Sequence, residues 1–393
     1  MFSKPVKVIW SLGIKRFRSH IFVSCVLAFV LLTGMHTALQ NTLNDMRFGW
    51  IHRAASGTVV LVAIDSPSIE KIGVWPWPRQ LHAELLDKLV SAEASDIVFD
   101  VDFSSPSDPA SDQALVDALQ RAEGSVVLPA FMQSLGHSVN GKTIYVNRPL
   151  PQFAKYAWSA TANVAIEPDG MVRHYSYGET LDGNFLPSVG ALLGGNFNRK
   201  EQPLQIDFSI DADSLPTVSY VDVLRGDFAT LKKLRHKKII IGATAIELGD
   251  RFNVPNGHVV PGATLQALAT ESILQNRALH SSSSIVALGG LGVVMLLMGV
   301  LWRRVSISTR VAVLVGLAVA IESAAVFLQA KLPIVVDTSL WHAAIAAYLA
   351  ALAIDEVDFR GLLVSIAERR FQRIAMSLGD GLVCTDRNGL ITV

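Results

Sequence analysis

Apolar residues along this chain come in runs of two kinds, and each predicts a different environment. Four runs are long, at 21–39, 285–302, 311–328 and 334–354. At ~1.5 Å of rise per helical residue each approaches the ~30 Å hydrocarbon core of a bilayer, so the pattern predicts four membrane-spanning helices. The other runs are short, rich in Val, Ile and Phe, and bounded by Gly, Pro, Asp or Ser: VVLVAI at 59–64, DIVFDVDF at 96–103, SVVLPAF at 125–131 and KKIIIGAT at 237–244. Such bursts predict buried strands.

Helical spacing fills the gaps between the strands. Leu81, Leu85, Leu86, Leu89 and Val90 recur at it, as do the apolar residues of DQALVDALQRA at 112–122, and PGATLQALATESIL at 261–274 opens with Pro261 in a helix-start position. The region 40–282 therefore reads as an α/β domain with a parallel-sheet core, because parallel strands are covered by helices on both faces. Within it, DGMVRHYSYGETLDGNFLP at 169–187 predicts an antiparallel insertion with turns at Asp169-Gly170 and Asp182-Gly183.

Charge sets the expected orientation. Lys4, Lys7, Lys15, Arg16 and Arg18 precede the first long run, Arg303, Arg304 and Arg310 fill the turn between the second and third, and Arg360, Arg369, Arg370 and Arg373 follow the fourth. By the positive-inside rule residues 1–20, the Arg-rich turn and the C-terminal part are cytoplasmic, and 40–282 lie outside. The first run exceeds a signal-peptide core and lacks a small-residue cleavage site, so it reads as a retained anchor. Localisation in a bacterial inner membrane, in contact with lipid, is expected.

Composition removes several function classes. Lys plus Arg number 34, equal to Asp plus Glu, and no basic block appears, so nucleic-acid binding is not expected. The cysteines, Cys25 and Cys384, leave the region between them without a possible disulfide. Asp100 and Asp102, after an apolar strand, suggest an aspartyl-nucleophile hydrolase, but no later Asp-Asp pair supplies its metal site. DVDFSSPSDPAS fails as a calcium loop, with Ser105 in place of Gly and Ser111 in place of the bidentate Glu. No catalytic residue, metal or cofactor is expected. A membrane-anchored periplasmic hydrolase using Asp100 and Asp102 is the alternative, and a structural membrane subunit a third reading.

Candidate ligand-binding residues follow from the rule that ligands collect beyond the carboxyl ends of parallel strands. Asp65 and Asp100 end two strands, and Thr244 and Asp250 follow a third. The loop GVWPWPRQLH adds Trp75, Trp77, Arg79 and His82. The Trp rings fit a ligand site or a plug at the sheet edge, and His82 fits a hydrogen-bonded structural role or ligand contact.

The segments VVLVAID, GVWPWPRQLHAELLDKL, IVFDVDFSSPSDPASDQALVDAL, EPDGMVRHYSY, DVLRGDF, KKIIIGATAIELGDRFNVP and PGATLQALATESIL, in this order and followed by clustered long apolar runs, resemble the type-2 CHASE domain, an extracytoplasmic sensory domain of bacterial signalling proteins. Leu265-Gln266-Ala267 departs from it where relatives often carry a His-Ala pair. The resemblance implies a receptor for an unknown outside signal. RFQRIAMSLGDGLVCTDRNGLITV resembles the opening of a PAS domain from residue 374, which implies cyclic-di-GMP enzymes or a histidine kinase as output. Between them, over 355–373 and into 374–378, Val364, Ala367, Phe371, Ile374 and Leu378 are spaced 3, 4, 3 and 4, which fits a linker seam in a homodimer. Glu322 and His342 interrupt the third and fourth long runs at matching depth and are expected to meet and couple them.

Overall fold

The computed structural model describes residues 5–138, 141–181, 183–196, 203–302 and 304–356, with Ile366 and Arg369. They form two compact units. One comprises 41–282 together with 324–336; the other takes in the described residues up to 40, 283–323 and those from 337 onward.

Helix α1 (Pro5–Leu32) and helix α2 (Met35–Trp50) meet at a break where the chain turns by 85°. Gly34 makes the turn possible by adopting φ +72°, a left-handed conformation that costs a side-chain-bearing residue more. The run 21–39 is therefore not one straight span, as the apolar pattern predicts. It is the end of α1 and the start of a helix that goes on to carry Asn44, Asp45 and Arg47.

The sheet of the first unit contains β1 (Val59–Ile64), β2 (Asp96–Asp100), β3 (Val126–Ser138), β4 (Gly141–Asn147), β5 (Trp158–Thr161), β6 (Thr217–Ser219) and β7 (Lys238–Ala243). Its order is β6-β1-β7-β2-β3, with β4 and β5 both paired to β3. Every pairing is parallel except β3 with β4. All six residues of β1 are buried, as an unbroken apolar strand covered on both faces requires. Val60, Val62 and Ile64 pack with Leu85, Leu86, Leu89 and Leu115, while Val59 and Leu61 pack with Ala263, Leu265 and Leu268 on the opposite face.

Further helices explain the first face. Helix α3 (Ser66–Ile72) leads into the Trp-Pro loop and α4 (Arg79–Ser91), and α5 (Pro109–Arg121) follows β2. The start of α5 precedes the expected run by three residues, because Asp108 accepts a hydrogen bond from Ser111 N at 2.9 Å and Pro109 occupies the first turn. The short α6 (Tyr220–Arg225) completes that face. On the other, α7 (Gly262–Leu274) is buried from Gly262 to Ile273.

The expected insertion forms partly as read. Gly178–Leu181 pairs antiparallel with Asn184–Pro187, whereas His174–Tyr175 after the Asp169-Gly170 turn pairs with Leu204–Gln205.

In the second unit, α8 (Ser284–Leu301) and α9 (Ile307–Lys331) are each long and apolar enough to cross a membrane, and the bent α1–α2 pair qualifies as a third only if counted as one span. The fourth expected span, 334–354, is corrected. Ile334–Val335 pairs in parallel with His280–Ser281, and α10 (Ser339–Glu356) starts only after Asp337 has accepted a hydrogen bond from Ser339 N at 3.0 Å. Its apolar part, Ser339–Ile354, is shorter than α8 or α9. Ala344, Tyr348 and Leu352 on α10 pack with Val23, Leu27, Val294 and Met298. Residues 364–365, 367–368 and 370–393, which contain the linker seam and the PAS-like segment, lie outside the described residues.

Candidate functional site

A cleft of about 490 Å³ opens at the C-terminal edge of the sheet. Its position follows from the strands: Asp100 ends β2 in register with Gly242 of β7, and Ala243 ends β7. A Cβ on Gly242 would lie 2.6 Å from that of Ala263 and 3.1 Å from that of Asp100, so glycine lets helix, strand and carboxylate converge. The same holds at Gly262, where an added Cβ would sit within 3 Å of the Asp250 carboxylate.

Three carboxylates line the cleft, those of Asp100, Asp102 and Asp250. Three aromatic rings join them: Trp75, Phe131 and Phe252. Its amides are held by protein partners. Asn163 accepts from Met132 N at 2.8 Å and donates to Met132 O at 2.6 Å, and buried Gln266 accepts from the Tyr175 hydroxyl while donating to Ala162 O at 2.7 Å. Asn147 Nδ2 lies 3.4 Å from Asp102 Oδ2.

Burial, and then the charge of Asp250, push the Asp100 carboxyl up to about 7. Asp250 is itself raised by desolvation, an effect opposed by a hydrogen bond from Gly262 N–H. Burial also raises the Tyr175 phenol behind Gln266. The site thus keeps two neighbouring acids in an environment that resists their simultaneous ionisation.

The candidate residues of the Trp-Pro loop divide between cleft and core. Trp75, half-buried, faces the cleft, and its ring centroid stands 5.2 Å from that of Trp77 and 5.9 Å from that of His82. Trp77 is 5% exposed, donates to Gly73 O at 2.9 Å and packs 4.9 Å from the Tyr220 ring. Arg79 is buried in an ion pair with Asp112 at 2.6 Å, with its guanidinium 5.1 Å from the Phe153 ring. His82 is bonded to the Tyr220 hydroxyl at 2.8 Å, and burial, helped by Arg79, lowers its pKa to about 4, so it is neutral at physiological pH. Asp65 caps α3, accepting from Ser68 N at 3.0 Å and Ser219 Oγ at 2.9 Å. Thr244 lies beyond β7 with its hydroxyl 3.4 Å from Ile64 O, outside the cleft lining. The structure thus brings Trp75, Asp100 and Asp250 together in the cleft lining and leaves the other five candidates outside it, with Trp77 and His82 packed behind Trp75.

Phe131, Phe252, Asn163 and Gln266 were not singled out as candidates by sequence. Only Gln266 carried a signal, as the departure at Leu265-Gln266-Ala267. Among the described residues, no group of three or more His, Cys, Asp or Glu side chains is placed to hold a metal ion.

A second polar constellation lies in the same unit, away from the cleft. Asp207 is fully buried and accepts from Arg277 Nε at 2.8 Å, with Arg53 Nε at 3.7 Å. Ser209 also donates to it, through N–H at 3.1 Å and hydroxyl at 2.5 Å. The two arginines reach onward to main-chain carbonyls at the end of α9: Arg277 to Gln329 O, Arg53 to Ala330 O at 2.5 Å. Buried Arg47 donates to Val336 O at 2.8 Å. The last carbonyls of a helix have no intrahelical partner and carry its negative dipole end, so cations are the fitting caps. Nothing local in the sequence marks these pairs, whose partners are 52 to 289 positions apart.

In the second unit, Glu322 Oε1 accepts from the Thr338 hydroxyl at 2.8 Å and stands 3.6 Å from His342 Nε2.

A parallel sheet with a cleft at its carboxyl edge, in a chain that also has long apolar helices, defines an α/β domain attached to helices of membrane type. The family model of the CHASE2 domain matches residues 22–301, and the chain belongs to that family. CHASE2 is an extracellular sensor domain of signalling receptors, which is consistent with the chain itself not being an enzyme. No curated protein and no solved structure matches the chain.

Proposed function

We propose that the protein is a transmembrane receptor whose domain at 41–282 binds an outside signal in the strand-edge cleft and passes the change to the membrane helices. The carrying observation is the membership of 324–336 in the sensor unit, where Arg47, Arg53 and Arg277 hold the carbonyls of Gln329, Ala330 and Val336. That segment ends α9 and precedes α10, which supports an end of α9 on the same side of the membrane as the sensor. Helices α8 and α9 then form a membrane hairpin whose tip, with Arg304 and Arg310, is cytoplasmic, in agreement with the positive-inside rule.

A change in the cleft acts on the arginines and shifts α9 and α10. The short apolar α10, whose His342 faces Glu322, joins α9 to the linker and the PAS-like segment, with a cyclic-di-GMP enzyme or histidine kinase as output. The linker seam at Val364, Ala367 and Phe371 joins two copies in a homodimer.

Single cysteines in a background with Cys25 and Cys384 replaced test this topology. In intact spheroplasts a membrane-impermeant maleimide is expected to label position 105 and, only after permeabilisation, position 306. Labelling of 306 without permeabilisation would remove the α8–α9 hairpin from this account.

A further inference from the structure

We propose that the cleft takes a small organic cation, an ammonium-bearing molecule held by Asp100 and Asp250 against the rings of Trp75, Phe131 and Phe252. This rests on the receptor reading and specifies the chemistry of its signal.

The amide of Asn163 is spent on the Met132 main chain, and that of Gln266 on Tyr175 and Ala162. Apart from the Asn147 amide and the Trp75 indole, what remains for a ligand is acceptor. Among the described residues no donor side chain reaches the Asp100 carboxylate, and no Lys, Arg or His lines the cleft to balance its three acids. An anionic ligand would meet only like charge, and a neutral one would leave the acids uncompensated. A cation supplies both the donors and the charge.

The rings narrow the class further. Aromatic faces attract cations through their quadrupole, most strongly for Trp, and they also cover the carbon body of an organic ammonium. A bare metal ion would need a converging ligand set, and no group of three suitable side chains converges among the described residues. A volume of about 490 Å³ accommodates a small molecule rather than an ion alone.

Asp100 links occupancy to pH. The groups that face it are Asp250, Asp102 and, behind Gln266, the neutral Tyr175 hydroxyl. With its carboxyl held up to about 7, a proton occupies it in mild acid and must leave for a cation to gain a full negative partner. Binding therefore strengthens as pH rises through 7 and releases a proton.

The test is calorimetric titration of the full chain in lipid nanodiscs with choline, putrescine and histamine. Controls are 3,3-dimethyl-1-butanol, the neutral isostere of choline, and succinate. At least one amine is expected to bind with Kd below about 1 mM, about tenfold more tightly at pH 8 than at pH 6, as one ionisation near 7 requires. The combined Asp100→Asn and Asp250→Asn variant should lose this binding while retaining its unfolding midpoint. If that variant does not fold, the wild-type pH profile and the charge series decide alone. Equal or tighter binding of the butanol or succinate would overturn the cation class while leaving the receptor reading in place. Failure of all three amines would also overturn it. Binding that survives in a folded double variant would put the amine elsewhere. The topology of the receptor reading is tested separately by the labelling experiment.

Discussion

Replacing Asp207 with Ala is expected to destabilise the sensor unit by about 3 to 5 kcal/mol, the range for removing one partner of a buried ion pair. Asp207 has no exposed surface, and Arg277, the arginine nearer to it, is 5% exposed. Without the carboxylate the Arg277 guanidinium stays in the interior with a main-chain carbonyl as its remaining partner. Arg53 loses the carboxylate near its Nε, an atom already without a hydrogen-bond partner. Asp207→Asn keeps an acceptor and should cost less. Denaturant unfolding of the full chain, followed by proteolysis of the sensor unit, checks both; a loss below about 1 kcal/mol for Ala would mean that solvent or a shift of Arg277 satisfies the charge.

The second large effect separates the two tryptophans of the Trp-Pro loop. Trp77→Ala is expected to cost about 3 to 5 kcal/mol, as truncation of a buried aromatic side chain does. Its ring is buried against Tyr220 and its Nε1–H is bonded to Gly73 O. Trp75→Ala should cost under about 2 kcal/mol, because the ring is half-buried and faces the cleft, so less apolar surface returns to water. Its larger effect should fall on ligand binding. The opposite ranking in unfolding midpoints would reverse the assignment of plug and cleft wall.

Much of the fold was legible because burial on both faces leaves an unbroken apolar signature. β1, β2 and β7 carry it, whereas the start of α5, capped by Asp108 with Pro109 in its first turn, was placed three residues late. Strand order was not legible. β7 inserts between β1 and β2 although well over a hundred residues separate it from either, and no local pattern encodes such a pairing. The long antiparallel pair of β3 and β4 was also missed, although only two residues separate the strands in sequence. The helix break was visible as Gly34 inside an apolar run, but hydropathy averages over one glycine. The strand at Ile334–Val335 was likewise hidden, since a strand of two apolar residues reads as part of the next helix.

The cleft was legible where the strand-end rule applies, at Asp100 and Asp250. Phe131 and Phe252 were not, because an aromatic residue in a strand reads as core until its neighbours are known. Arg79 and His82 belong to the class of polar residues whose long-range partners, Asp112 and Tyr220, keep them in the interior. Arg53, Arg277 and Asp207 act through pairings that only tertiary structure creates.

The most direct test of the receptor account couples the sensor unit to an output. With a diguanylate cyclase reporter joined after Val393, cellular cyclic-di-GMP is measured for the wild type, for Arg53→Gln with Arg277→Gln, and for Arg235→Gln as an exposed ion-pair control in the sensor. At equal membrane levels, releasing the end of α9 is expected to change the output severalfold, while the Arg235 control stays at the wild-type level. Identical output from all three would contradict transmission through the arginines.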